Sequence, residues 1–169
     1  GIFEEQLNIP SFSSTMRDEL MRACAFDWSG ISPAVFGSLF QAVKSPEARR
    51  ELGEHYTSET NILKTLGPLF LDDLRERFAE HTHDLAKLKE LRQELRDLRI
   101  MDPACGCGNF LIVAYDRIRA LEDDIIAEAL KDKAGGLFDS PSVQCRLKQF
   151  HGIEIDEFAV LIARTAMWL

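Results

Sequence analysis

Apolar positions recur at helical spacing through the first hundred residues. In residues 2–28, Met16, Leu20, Met21, Ala23 and Cys24 alternate with Arg17, Asp18, Glu19 and Arg22, which predicts an amphipathic helix. Ser13, Ser14 or Thr15 suits its N-cap. After the punctuation of Asp27 to Pro33, a second helix is expected, with Ser32 as cap, Pro33 in its first turn and Val35, Phe36, Leu39, Phe40 and Val43 on one face. Pro46 follows its end, and residues 1–50 read as a small helical unit. Past Gly53, a further helix is predicted behind a Thr57 or Ser58 cap, carrying Ile62, Leu63, Leu66, Leu69 and Phe70, with Gly67-Pro68 as a kink. Residues 71–99 read as helix. Leu85, Leu88, Leu91, Leu95 and Leu98 form a stripe flanked by charges, which is an amphipathic face packed on a domain and too short for a coiled coil.

The pattern then changes. Leu98 to Met101 is a short apolar run, expected as a buried strand ending at Asp102-Pro103. Ala104 to Gly108 is a tight turn of small residues, and Asn109 to Leu121, extending toward Leu130, is helical. After a loop at Gly135 to Pro141, Phe150 to Ile155 predicts a second strand, and Asp156 caps a helix bearing Phe158, Val160, Leu161, Ala163, Ala166 and Met167. Strand, glycine turn, helix and a second strand ending in an acid form the opening of a doubly wound α/β sheet. The expected fold is therefore α/β: the start of a Rossmann-like sheet preceded by a helical region, with helix predominating. The expected division is 1–50 and 51–169. Leu169 falls inside an apolar helix, so the chain is expected to be part of a longer one.

Composition narrows the function classes. Apolar residues make up 46% and charged residues 28%, as in a globular protein with a core. No apolar run approaches the ~20 residues of a membrane span, and the first residues lack a secretion signal. The reading is cytoplasmic, with no membrane partner. Cys24, Cys105, Cys107 and Cys145 are irregularly spaced and read as reduced thiols. Cys105-x-Cys107 is half of a metal site without a second half, and His81 and His83 point to different sides of a helix, so no metal is expected. The net charge of -8 has the wrong sign for gripping phosphates.

The chemistry concentrates at 102–110. Small residues let backbone approach a ligand closely, and the helix behind them presents free N–H groups to a negative group. A dinucleotide fingerprint needs a third small residue where Leu111 stands, and no P-loop motif occurs. Asp102, at the strand end, would repel a pyrophosphate and attract an ammonium or a sulfonium. S-adenosylmethionine carries both of these, with a carboxylate for the helix end.

Asp102-Pro103-Ala104-Cys105-Gly106-Cys107-Gly108-Asn109-Phe110-Leu111 closely resembles the cofactor loop of amino-type (N6-adenine) DNA methyltransferases, with Cys107 where serine is common. Gly152-Ile153-Glu154-Ile155-Asp156 resembles that family's second motif. The resemblance implies that Glu154 accepts from both ribose hydroxyls and that Ile155 lies against adenine, with Asp156 a helix cap. Gly53 to Ile62 resembles the segment closing over the methionine end, where Tyr56 and Thr57 lie nearest the cofactor. The implied cofactor is S-adenosyl-L-methionine, and the implied site is Tyr56, Thr57, Asp102, Pro103, Ala104, Cys105, Gly106, Gly108, Asn109, Phe110, Glu154 and Ile155. The stretches Asp27 to Phe40 and Arg49 to Gly53 resemble large enzymes that fuse a methyltransferase to restriction functions.

Two departures qualify the match. Asp102 and Glu154 are 52 residues apart, so residues 119–149 are an insertion or an extended helix and loop. None of the six prolines neighbours another, so the family's Asn/Asp-Pro-Pro-aromatic motif, which holds a flipped base, does not occur. No catalytic residue is therefore expected. Double-stranded DNA would be held by parts of a parent protein outside this chain, and the chain alone would be inactive. The rivals are a methyltransferase acting on RNA or protein glutamine, and a non-enzymatic helical docking module.

Overall fold

The computed structural model describes residues 11–27, 35, 57–131 and 142–168. The chain divides into two compact units, Gly1–Ser32 and Pro33–Leu169. In the first, α1 (Ser14–Ala25) starts where Ser13 Oγ accepts from the Met16 amide at 3.2 Å. None of its residues is buried. The helix expected after Pro33 and the boundary expected at residue 50 lie outside the described residues, Val35 apart.

In the second unit, among the described residues, α2 (Glu59–Leu66) runs into a π-helical turn (Gly67–Leu71) and α3 (Asp72–Glu80). Pro68 has no N–H to continue the α ladder, and the turn widens until the Asp72 amide bonds the Gly67 carbonyl. The expected kink is thus an extra residue in the helix wall. Ser58 occupies the cap of α2, but its carbonyl rather than its hydroxyl is engaged, accepting from Asn61 and Ile62 at 2.9 and 3.0 Å. The helix expected over 71–99 is two helices. His81 to His83 are weak helix formers, and the Asp84 carboxylate accepts from Ala86 and Lys87 at 3.0 and 3.1 Å, opening α4 (Leu85–Asp97).

Strand β1 (Ile100–Asp102), helix α5 (Asn109–Lys131), strand β2 (Phe150–Gly152) and helix α6 (Glu157–Ala166) follow. The strands are parallel, pairing Ile100 with Phe150, Met101 with His151 and Asp102 with Gly152. A parallel pair needs a crossover of a dozen or more residues, and α5 with the segment after it supplies one. The described residues are thus mostly helical, with a two-stranded parallel sheet. Strand β1 is not buried as expected: Met101 is 61% exposed, because β1 has one strand neighbour among the described residues. Strand β2 ends at Gly152 rather than Ile155.

The core of the second unit lies between α5 and helices α2 to α4. Leu88, Leu91 and Leu95 of the predicted stripe are buried together with Ile62, Ile118 and Ile125. Each such side chain contributes roughly 1.5–3 kcal/mol on burial. The apolar residues of α6 sort by face: Ala159, Ile162, Ala163 and Ala166 are buried, while Phe158 and Leu161 are exposed. Among the described residues no helix is long and apolar enough to cross a membrane.

Two buried polar anchors join this core to β2. Glu122, fully buried in α5, accepts from Arg92 Nε at 3.3 Å and Arg119 Nη1 at 2.6 Å. It also accepts from the amides of Gln144 and Cys145 at 2.7 and 3.0 Å. Arg92 Nη2 donates to the Ser142 carbonyl at 2.6 Å. Gln149, also buried, donates to the carbonyls of Leu95 and Leu98 at 2.7 and 3.1 Å, and its Oε1 accepts from the Arg146 amide at 2.6 Å.

Candidate functional site

The carboxyl ends of the two strands are joined by the backbone of Ile153. Its N–H donates to the Asp102 carbonyl at 2.9 Å, and its carbonyl accepts from the Cys105 amide at 3.0 Å. The ladder therefore continues past Pro103, which has no N–H of its own, and the glycine turn is folded back over the end of β2. Gly152 allows this close passage: a Cβ there would stand 2.5 Å from Cys105 Sγ. Gly106 and Gly108 have φ of 52° and 84°, a left-handed backbone that glycine adopts without strain. A Cβ on Gly108 would also stand 3.0 Å from the Ala163 Cβ, so the turn is wedged against α6, where Cys107 is buried with Ala159 and Ile162.

Both acids sit at this junction. Asp102 Oδ1 accepts from the Ala104 amide at 3.0 Å, which closes the turn on itself. Glu154 Oε2 accepts from the Gly106 amide at 2.8 Å. Glu154 Oε1 accepts from the amides of Ile155 and Asp156 at 2.8 and 3.0 Å. Asp156 caps α6 through a 3.1 Å bond from Phe158 N–H, as expected. Burial, followed by the charges of Asp102 and Glu154, pushes the Cys105 thiol up from its ordinary value. Asn109, the first residue of α5, is 9% exposed, and its Oδ1 is buried without a hydrogen-bond partner. A buried acceptor with no donor is costly unless a ligand or water supplies one.

Of the residues singled out from the sequence, Asp102, Pro103, Ala104, Cys105, Gly106, Gly108, Glu154 and Ile155 form this junction. Ile155 presents its side chain 83% exposed beside it. Asp102, Pro103, Ala104 and Phe110 also line a groove of about 250 Å³ with Leu69 and Phe70 of the π-helical turn. Thr57, half-buried ahead of α2, takes no part in the bonded cluster. The start of α2 is tied to α5 by an ion pair between Glu59 and Arg117. Tyr56 lies outside the described residues. Among the described residues no cluster of three or more His, Cys, Asp or Glu is placed to hold a metal ion. Sequence reasoning missed Glu122 and Gln149. A glutamate inside the apolar face of α5 was a visible signal for the first, whereas a single glutamine before a strand carries none.

Comparison with known proteins places this geometry. The profile of the MmeI DNA-methyltransferase domain matches residues 78–169. The chain belongs to the MmeI DNA-methyltransferase domain family. The match includes both strands, the glycine turn and both acids. Over 99% of its length the chain is 41% identical to DNA methyltransferase A of Bacillus subtilis, covering 19% of that protein. It is 24% identical, over 82% of its length, to a putative type II restriction enzyme and methyltransferase of Methanocaldococcus jannaschii, covering 14% of it. The solved structure of the type IIL restriction-modification enzyme MmeI in complex with DNA superposes on 98% of the chain with a TM-score of 0.87 and 45% identity, the match covering 22% of that enzyme. The chain thus spans about a fifth or less of the length of these relatives.

Proposed function

We propose that this chain is the S-adenosylmethionine-binding part of a DNA adenine N6-methyltransferase within a larger restriction–modification protein, and that β1 and β2 begin its Rossmann-like sheet. The observation that carries the proposal is the junction itself. Two carboxylates and a left-handed glycine turn meet at the carboxyl ends of adjacent parallel strands, where ligands bind in such sheets.

The residues suit this cofactor. Asp102 offers a negative charge to the ammonium and sulfonium, and the orphaned Asn109 Oδ1 is an acceptor for a donor at the same helix start. Glu154 has four lone-pair sites and three N–H partners. One lone-pair site is therefore open to a ribose hydroxyl, and the second hydroxyl would share an oxygen with an amide. Exposed Ile155 offers an apolar surface for adenine. Tyr56 and Thr57 would close over the methionine end. The bound cofactor supplies an activated methyl group; the residues of this chain hold and orient it. Base flipping, methyl acceptance and DNA contact fall to other parts of the parent, in keeping with the net charge of -8. A DNA-modifying enzyme of this kind works in the cytoplasm.

The test has two stages. Calorimetry on the full-length parent should show S-adenosylmethionine binding, and mass spectrometry of nucleosides from treated DNA should show N6-methyladenine. A methylated cytosine, or methyl transfer only to RNA or a protein glutamine, would overturn the adenine reading. The chain alone, lacking the Asn/Asp-Pro-Pro-aromatic motif, should transfer no labelled methyl group to DNA.

A further inference from the structure

The ladder between β1 and β2 is three residue pairs long. So short a ladder specifies its own register weakly, yet a slip of one residue turns every side chain to the opposite face. A slip would also carry Glu154 away from Gly106 by one residue's rise, about 3.3 Å. The two backbone bonds of Ile153 extend the ladder at its carboxyl end, and two buried polar side chains tie the strands at the other end, where they enter it.

Gln149 immediately precedes β2. Its amide nitrogen donates to the carbonyls of Leu95 and Leu98, at the end of α4 and two residues before β1. Its oxygen accepts from the Arg146 amide. The entrances of both strands are thus clamped to one side chain. A slip by one residue would turn Gln149 out of this pocket and take its bonds from the Leu95 carbonyl and the Arg146 amide, a cost that grows with burial, while the Leu98 carbonyl would keep the Arg99 guanidinium at 2.8 Å. Glu122 holds the approach to β2 in the same way, through the amides of Gln144 and Cys145. None of these hydrogen bonds is made to the glycine turn.

We infer that Gln149, seconded by Glu122, is a positioning residue for the cofactor site: it sets the β1–β2 register that delivers Glu154 to the glycine turn. The inference rests on the proposed cofactor reading and deepens it.

The test uses the full-length parent and direct cofactor binding. Gln149→Leu keeps the volume and removes all three hydrogen bonds. Its dissociation constant for S-adenosylmethionine should rise about tenfold, while kcat at saturating cofactor stays close to wild type. Leu74→Ala, in α3, is the control for simple loss of stability: it should lower the melting temperature and leave cofactor affinity unchanged. If Gln149→Leu does not fold, Glu122→Gln serves as the second variant, with the same expected rise. No cofactor binding by the wild-type parent would defeat the functional reading itself. Wild-type binding with unchanged affinity in the folded Gln149 or Glu122 variant would defeat the positioning role, as would a fall in kcat with affinity intact.

Discussion

Glu154 accepts a hydrogen bond at 2.8 Å from the amide of Gly106, 48 residues earlier in the chain. This bond joins the two motifs that the sequence presents separately. In the full-length parent, Glu154→Ala and Asp102→Ala should each weaken cofactor binding by about 1.5–3 kcal/mol, the worth of a hydrogen bond to a charged group. Calorimetry measures this directly, and undiminished affinity in both variants would remove these acids from the site.

The two glycines nearest this bond should respond differently to alanine. Gly106→Ala meets no atom within 4 Å but must hold φ at 52°, at a cost of about 1–2 kcal/mol. Gly152→Ala has an ordinary backbone but puts its methyl group 2.5 Å from Cys105 Sγ, an overpacking cost of about 1–3 kcal/mol. Adding Cys105→Ala should restore part of the stability lost in Gly152→Ala and none of that lost in Gly106→Ala. Denaturant midpoints decide it; equal rescue of both would refute the steric account.

Glu122 makes a pH-dependent contribution to stability. Burial opposes its ionisation, but the amides of Gln144 and Cys145 and the Arg119 guanidinium outweigh it, and the carboxyl lies below its ordinary value. A depressed carboxyl stabilises fully above its unfolded-state value and loses that contribution as pH falls through the folded one. Glu122→Gln should therefore cost about 3 kcal/mol at neutral pH, the scale for breaking a buried pair, and show a shallower loss below the carboxylate range. A parallel pair of stability-against-pH curves would contradict this.

Cys145 should be inert in the folded protein. Burial, with the charge of Glu122 adding to it, pushes its thiol up to about 11, and it is 1% exposed. Thiolate is the reactive form, so iodoacetamide at pH 8 should leave Cys145 unmodified until denaturant is added, while exposed Cys24 reacts. Peptide mapping reads both; early labelling of Cys145 would mean that the 142–149 segment opens readily.

Much of the helical architecture was legible because it is periodic. The leucine stripe of α4 and the long α5 announce themselves at a spacing of three and four, and Ser13, Asp84 and Asp156 can be seen or understood as caps from local chemistry. The break at 81–84 was not legible, since apolar residues at helical spacing run on either side of a competing cap, Leu71, Leu74 and Phe78 before it and the leucine stripe after it. The π-helical turn appeared only as a kink at Gly67-Pro68, because the width of a turn depends on which carbonyl the next amide finds.

By itself the sequence determined the order of elements and the glycine turn with its two acids, through periodicity and local backbone preference. Only the tertiary structure decided how those acids meet. Glu154 reaches Gly106 because the strands are parallel and in one register, and that register is held by hydrogen bonds that Gln149 donates and Glu122 accepts, with partners 22 to 54 residues away. Such partners lie beyond the reach of any local pattern, since a buried polar side chain is specified by the groups that surround it in space rather than by its neighbours in the chain.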